Sequence, residues 1–110
     1  MQLPNAGQAV VDIVKLRDYC LSATHPRGRH KARIFSASLG MTAANAADLR
    51  EAILQAVTHA EAAEMDSDEF GRRFVADVTL SYHGRTAEIR TAWIVRRGED
   101  FPRLTSCYVL

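Results

Sequence analysis

Cysteine and long apolar runs are scarce in this chain, and both shortages exclude classes of protein. The sequence holds two cysteines in 110 residues. Cys20 and Cys107 are isolated in the sequence and lack the spacing of a metal site or a redox motif, so we interpret both as reduced, partly buried thiols. No stretch approaches the ~20 apolar residues of a membrane helix, and the first five residues lack the basic region and apolar core of a secretion signal. We therefore expect a protein without a membrane partner that is cytoplasmic, or else delivered by a route that the chain does not encode.

Several chemical motifs are also missing. The chain has no glycine-rich nucleotide loop and no Gly-x-Ser-x-Gly nucleophile motif. Its four histidines lie at positions 25, 30, 59 and 83, and their spacing is not that of metal ligands. The sequence therefore predicts no metal site and no cofactor.

Charge is balanced overall but unevenly distributed. Fourteen Lys and Arg face thirteen Asp and Glu, which gives a net charge of +1, so the whole protein exerts no strong attraction on nucleic acid. Residues 15–33 nevertheless carry six positive groups and one acid, residues 48–69 carry seven acids and one arginine, and residues 71–110 carry seven arginines and four acids. If the two basic regions meet in space, the protein has a polarised surface.

Apolar periodicity predicts an α+β fold in a single domain spanning residues 1–110. The apolar fraction of 47% and the charged fraction of 25% are those of a globular protein. Period 3.6 favours three helices before residue 65, the first capped by Asp12 and the second ended by Gly40. The acidic residues 61–69 indicate a solvated linker. From Phe74 the period becomes two, and His83-Gly84 suits a hairpin, so three or four antiparallel strands are expected after residue 70.

The strongest local signal is the segment 25–31, which holds two imidazoles and three cations around one glycine: His25, Pro26, Arg27, Gly28, Arg29, His30 and Lys31. An amphipathic helix with Ala32, Phe35 and Leu39 on its inner side follows directly. Cations at the first turn oppose the helix dipole, and that turn already offers free backbone N–H groups. Cations at a helix start despite this unfavourable interaction are typical of an anion-binding site, and the simplest anion is a phosphate.

Three ordered motifs resemble a bacterial family. They are His-Pro-x-Gly-x-x-Lys-Ala at 25–32, Arg-Thr-Ala-Trp-Ile-Val at 90–95 and Pro-Arg-Leu-Thr-Ser-Cys-Tyr at 102–108. The family is catalogued as a domain of unknown function, and the resemblance runs from Leu3 to Tyr108. Similar segments occur as short single-domain proteins and at the C-terminal ends of polymorphic toxins and phage-associated proteins. The resemblance therefore implies a toxin-like role.

The segment 25–31 is called the basic loop below. The order of helices, basic loop and late strand is also similar to that of small metal-independent ribonucleases, which include barnase, RelE-type toxins and colicin nucleases. This likeness of layout implies RNA cleavage by general acid–base chemistry. The chain departs from the usual Thr-x-Tyr-Pro ending, because Tyr108 comes one place later when counted from Thr105, and Val109 replaces the proline. One place in a strand is a change of face, so the sequence leaves the role of Tyr108 open.

The residues predicted to be catalytic are His25, Lys31, Arg90 and Thr105. Imidazole titrates near neutral pH and suits proton transfer, the two cations suit the phosphate charge, and the threonine hydroxyl suits its positioning. The residues predicted to bind substrate are Arg27, Gly28, Arg29 and His30. Structural alternatives stay open: His25 as a helix cap, Lys31 as cover for the apolar stripe, and Arg90 as one half of a surface ion pair.

Two classes of function follow. The first is a toxin-like, metal-independent ribonuclease. The second is a non-catalytic binding module, in which the basic loop docks RNA or an acidic partner protein. A toxin active in its own cell would need an antitoxin or immunity protein, and an acidic one would fit the basic surface. The oligomeric state is not specified by the sequence.

Overall fold

The computed structural model describes residues Met1–Leu110 and places helices before an antiparallel sheet. The helices are α1 (Ile13–Lys15), which continues as a π-helical segment (Leu16–Cys20), α2 (Arg29–Leu39) and α3 (Ala46–Val57). The strands are β1 (Ala62–Glu64), β2 (Gly71–Tyr82), β3 (Arg85–Arg96) and β4 (Arg103–Val109). The predicted α+β fold is confirmed. None of the helices has both the length and the apolar character needed to cross a membrane.

The helix ends lie where the capping residues predict them. The Asp12 carboxylate accepts the backbone N–H of Val14 at 2.9 Å, which starts α1. Gly40 ends α2 with φ at 72°, a left-handed conformation that glycine adopts without steric cost. Thr42 and Asn45 form a capping box in the turn before α3.

The sheet has the strand order β1-β2-β3-β4, and all neighbours are antiparallel. His83 and Gly84 join β2 to β3 with φ values of 47° and 81°, as a two-residue hairpin requires. Strand β1 lies inside the segment predicted to be a linker, so that prediction is wrong for residues 62–64. These residues pair with 74–76 of β2, because a neighbouring strand offers backbone hydrogen bonds even where the side chains carry no strand pattern.

The helices cover one face of the sheet and leave the other open. Trp93 is buried among the core residues, and its indole N–H donates to the Thr91 hydroxyl at 2.8 Å. The alternate side chains of β2 and β3 point the other way and are half-buried or exposed near Asp77 and Arg90. We call this open side the outer face.

Candidate functional site

His25 shapes the basic loop through its side chain. Its Nδ1 accepts the backbone N–H groups of Arg27 and Gly28, each at 3.0 Å, and its carbonyl oxygen accepts the N–H of Arg29. An Nδ1 that accepts carries no hydrogen, so the neutral ring holds its hydrogen on Nε2. The structure therefore places His25 as a cap on the turn that leads into α2.

Gly28 brings this turn against the preceding helical segment. A Cβ atom at position 28 would lie 2.1 Å from the carbonyl oxygen of Tyr19, well inside van der Waals contact. Glycine alone permits this approach. As a result, the rings of His25 and Tyr19 meet edge to face, with centroids 4.8 Å apart.

Lys31 reaches from α2 to the edge of the sheet. Its ammonium Nζ lies 3.1 Å from the Ser106 hydroxyl and 3.4 Å from the Tyr19 hydroxyl, and it stands 5.0 Å and 5.5 Å from the ring centroids of Tyr19 and Tyr108. The side chain is half-buried. Its neighbours are hydroxyl groups and aromatic rings, and no carboxylate pairs with it. The positive charge is thus held in place without being neutralised.

A bulge in β4 decides which hydroxyl Lys31 meets. Trp93 pairs with Leu104, whereas Ala92 pairs with Ser106, so Thr105 is an extra residue. The Thr105 hydroxyl donates to the Ala92 carbonyl at 3.1 Å instead of facing Lys31. Ser106 takes that place and shares the outer face with Tyr108. Counted from Ser106, the chain has the hydroxyl-x-Tyr spacing that it lacks when counted from Thr105.

Arg90 lies on the outer face between two register partners. Its Nε and Nη2 donate to the two carboxylate oxygens of Asp77 at 2.9 Å and 3.0 Å, and Tyr108 pairs with it on the other side. The hydrogen bonds to Asp77 and then to Tyr108 raise the pKa of Arg90, while Arg90 lowers the pKa of Asp77. We call these three residues the outer row. The ion pair, one of the two interpretations of Arg90, is present.

The remaining cations of the basic loop have no acidic partner. The ion pairs of the structure involve the N-terminal ammonium and five arginines, namely Arg17, Arg72, Arg73, Arg90 and Arg103. Arg27, Arg29 and His30 are exposed and stand outside these pairs. The basic surface predicted from the sequence is therefore uncompensated around the start of α2.

The structure connects three of the four residues predicted to be catalytic. Tyr19 stands between His25 and Lys31, and Tyr108 stands between Lys31 and Arg90. Thr105 is not part of this chain of contacts. Sequence reasoning missed Tyr19, Ser106 and Asp77; the signal for Asp77 was its place on a period-two strand, opposite Arg90 once the hairpin register is fixed at His83-Gly84.

Behind Lys31 lie the two cysteines. Cys20 and Cys107 are buried, 1% and 0% exposed, and both are free thiols. Interaction with Cys107, aided by the charge of Lys31, lowers the pKa of Cys20 to about 7, and interaction with Cys20 together with burial raises the pKa of Cys107. No cluster of His, Cys, Asp and Glu suited to a metal ion is present.

Sequence comparison agrees with the motif resemblance at the level of the family. The profile of one family, described as Domain of unknown function (DUF6883), matches residues 2–110. The chain belongs to this family. The match covers nearly the whole chain, so the loop, the outer row and β4 all lie inside the DUF6883 domain. No curated protein and no solved structure matches the sequence.

Proposed function

We propose that this DUF6883 protein binds single-stranded RNA along the outer row and cleaves it without a metal ion. The observation that carries the proposal is the state of Lys31: a half-buried ammonium, fixed by hydroxyls and rings, with no counter-ion. A bound phosphate would supply the missing negative charge and accept charge-assisted hydrogen bonds.

The start of α2 supports an anion at this place. The backbone N–H groups of His30 and Lys31 have no acceptor among the hydrogen bonds of the structure, as is usual for the first turn of a helix. Together with the exposed guanidinium groups of Arg27 and Arg29, they surround the loop with donors and positive charge. Phosphates bind such helix starts readily.

Tyr108 supports a single strand as the form of the RNA. Its half-buried ring stands between the cations Lys31 and Arg90. Aromatic rings between cations are the usual platform for unpaired bases, because the ring stacks with a base while the cations hold the backbone. Arg90 donates two N–H groups to Asp77 and keeps others for a phosphate.

The chemistry needed is an attack of the 2′ oxygen on the adjacent phosphorus. A new bond joins the 2′ oxygen to phosphorus, the bond to the 5′ oxygen breaks, and a 2′,3′-cyclic phosphate remains. Asp77, kept ionised by Arg90, accepts the 2′ proton in this proposal, and Lys31 and Arg90 stabilise the phosphate charge. The leaving oxygen receives a proton from the Tyr108 hydroxyl in this proposal. His25, the residue predicted from the sequence, would first have to gain a proton on Nδ1 and give up its two backbone contacts.

The toxin resemblance fits the same proposal. Uncontrolled RNA cleavage harms the cell that makes the enzyme, so a neutralising antitoxin or immunity protein would accompany it. The uncompensated cations of the basic loop favour an acidic partner that covers the site.

A direct experiment is the incubation of the purified protein with a single-stranded RNA oligonucleotide in excess EDTA. We expect fragments that end in a 2′,3′-cyclic phosphate, and we expect Asp77→Asn and Lys31→Met to lose most of the cleavage while Lys15→Met keeps it. Intact RNA at micromolar protein would refute the catalytic part of the proposal.

A second function is favoured by one observation. His25 uses Nδ1 as a backbone acceptor, which leaves a single nitrogen for proton transfer and suits a binding module. In that case the oligonucleotide stays intact but binds, and its affinity falls with salt because phosphate contacts release counterions.

A further inference from the structure

We propose that a groove on the side of α2 that faces away from Lys31 binds a small amphiphilic carboxylate. The groove lies between α2, the turn that follows the π-helical segment and the residues that join α2 to α3, and its volume is about 460 Å³. Sites for small organic molecules usually have volumes of about 300–1,000 Å³. Neither Lys31 nor the outer row lines this groove, so the inference does not depend on the proposed function.

Apolar side chains form the floor of the groove. Leu21, Ala32 and Met41 line it, and each of them is at most 5% exposed because it also packs into the protein interior. Five of the nine lining residues are apolar. An apolar chain or ring that replaces water on this floor therefore gains free energy from the hydrophobic effect.

Local hydrogen bonds hold both sides of the groove. On one side, the Ser22 hydroxyl accepts the backbone N–H of Thr24 at 3.3 Å and that of His25 at 3.1 Å, which closes the turn after the π-helical segment. On the other side, the capping box of Thr42 and Asn45 fixes the chain that leads to α3. The site thus exists before a ligand binds, and little free energy is lost in ordering the protein around it.

Arg29 and Arg33 supply positive charge at the rim of the groove. They are four residues apart on α2 and so lie on one side of the helix; both are exposed, and neither takes part in an ion pair. Like charges at this spacing repel each other, and none of the lining residues is acidic. A carboxylate bound between the two guanidinium groups would offset the repulsion and accept hydrogen bonds from both.

The position of the groove separates it from the proposed RNA site. Each residue of an α-helix turns the chain by about 100°, so Arg29 and Arg33 lie about 160° around the helix axis from Lys31. Lys31 reaches Ser106 of β4, whereas no residue of the sheet lines the groove. A ligand in the groove therefore leaves Lys31 free, and each site is tested without the other.

The test is a titration of the ¹⁵N-labelled full chain with 4-phenylbutyrate, followed through the amide chemical shifts. We expect saturable shifts around the groove and a Kd of about 1–5 mM, as ordinary ligand efficiency gives for a molecule of roughly twelve heavy atoms. Acetate carries the charge without the ring, and 4-phenylbutyramide carries the ring without the charge. Equal binding of either control compound, or 4-phenylbutyrate shifts that lie only outside the groove, would overturn the proposal.

Two variants test the parts of the groove. Arg33→Gln removes one guanidinium group, and we expect it to weaken 4-phenylbutyrate binding by about three- to fivefold, as for an exposed ion pair. Arg97→Gln is the matched control, since Arg97 is exposed, unpaired and outside the groove. Ala37→Phe fills the groove from an exposed position on its wall and should abolish the shifts. Wild-type affinity in Arg33→Gln would reject the assignment of the carboxylate to the arginine pair, whatever the protein does to RNA.

A short peptide of alternating glutamate and leucine tests the other occupant, an acidic segment of a partner protein. We expect it to bind the groove more weakly than 4-phenylbutyrate. If the peptide binds there more tightly, the groove is a protein-docking surface and the proposal of a small ligand fails.

Discussion

Replacing Lys31 by methionine tests the centre of the site while it leaves the fold in place. Methionine keeps much of the aliphatic stem that lies along α2 and removes the charge. The substitution removes hydrogen bonds to two neutral hydroxyls and the attraction of the ammonium to two aromatic rings. Each interaction is small at a half-exposed position, and removing an unpaired charge offsets part of the loss, so we expect a change of about 1 kcal/mol or less in the free energy of unfolding.

RNA affinity should respond far more strongly. A hydrogen bond from a charged group contributes about 1.5–3 kcal/mol, which corresponds to a loss of about 10- to 150-fold in affinity. The salt dependence should also weaken, because each phosphate contact to a single strand adds about 0.7 to the slope of log K against log salt. Fluorescence anisotropy of a labelled single-stranded RNA at several salt concentrations measures both quantities.

Lys15→Met is the matched control, since Lys15 is exposed and is the only other lysine. Equal losses in both variants would show that general charge, and not the position of Lys31, drives binding. Unchanged affinity and slope in Lys31→Met would refute the assignment of Lys31 to the phosphate.

Three further predictions concern the loop, its glycine and the outer row. His25→Ala should lower the unfolding midpoint by roughly 4–8 °C, because a lost cap costs about 1 kcal/mol. His25→Asn should recover much of the lost stability. A fall in cleavage rate of ~10²–10⁴-fold in both variants is expected only if His25 transfers a proton. Gly28→Ala should cost more than about 2 kcal/mol in urea unfolding, because its Cβ would meet the Tyr19 carbonyl oxygen. Arg90 lowers the pKa of Asp77, so the stabilising effect of their pair is complete above about pH 4 and is lost as the pH falls further. The unfolding temperature of Asp77→Asn should therefore depend less on pH between about 4 and 2 than that of the wild type.

Each of these has a result that would contradict it. His25→Asn as unstable as His25→Ala would remove the capping role. Gly7→Ala, where nothing lies within 4 Å of the added methyl, is the control for Gly28→Ala, and equal stability of the two would show that the loop moves away from Tyr19 without cost. Parallel acid unfolding of wild type and Asp77→Asn would show that the carboxylate makes no net contribution.

The fold could be predicted from the sequence wherever local chemistry decides it. The periods of 3.6 and 2, the Asp12 cap, Gly40 and the His83-Gly84 turn each act within a few residues, and each lies at its expected place. Strand β1 escapes such prediction because its pairing comes from β2 and not from its own side chains.

The site could be predicted in part for the same reason. The motif at 25–32 identifies the loop and Lys31, whose positions depend on local sequence. Asp77, Tyr19 and Ser106 join the site through tertiary pairing, which no local pattern specifies. The sequence indicates Thr105 as the hydroxyl of the site, whereas the structure places Ser106 there. The reason is a bulge that adds one residue to β4, and no local pattern reveals that extra residue.

That bulge gives β4 a tolerance for changes of length. Leu104 before it and Ser106 after it already alternate as a regular strand would, one inward and one outward. A chain that lacks residue 105 would keep the pairs of Leu104 with Trp93 and of Tyr108 with Arg90. It would lose only the hydrogen bond from the Thr105 hydroxyl to the Ala92 carbonyl. A family member with an ending one residue shorter would thus keep the same outer row, and its equivalent positions would be found by counting back from the tyrosine.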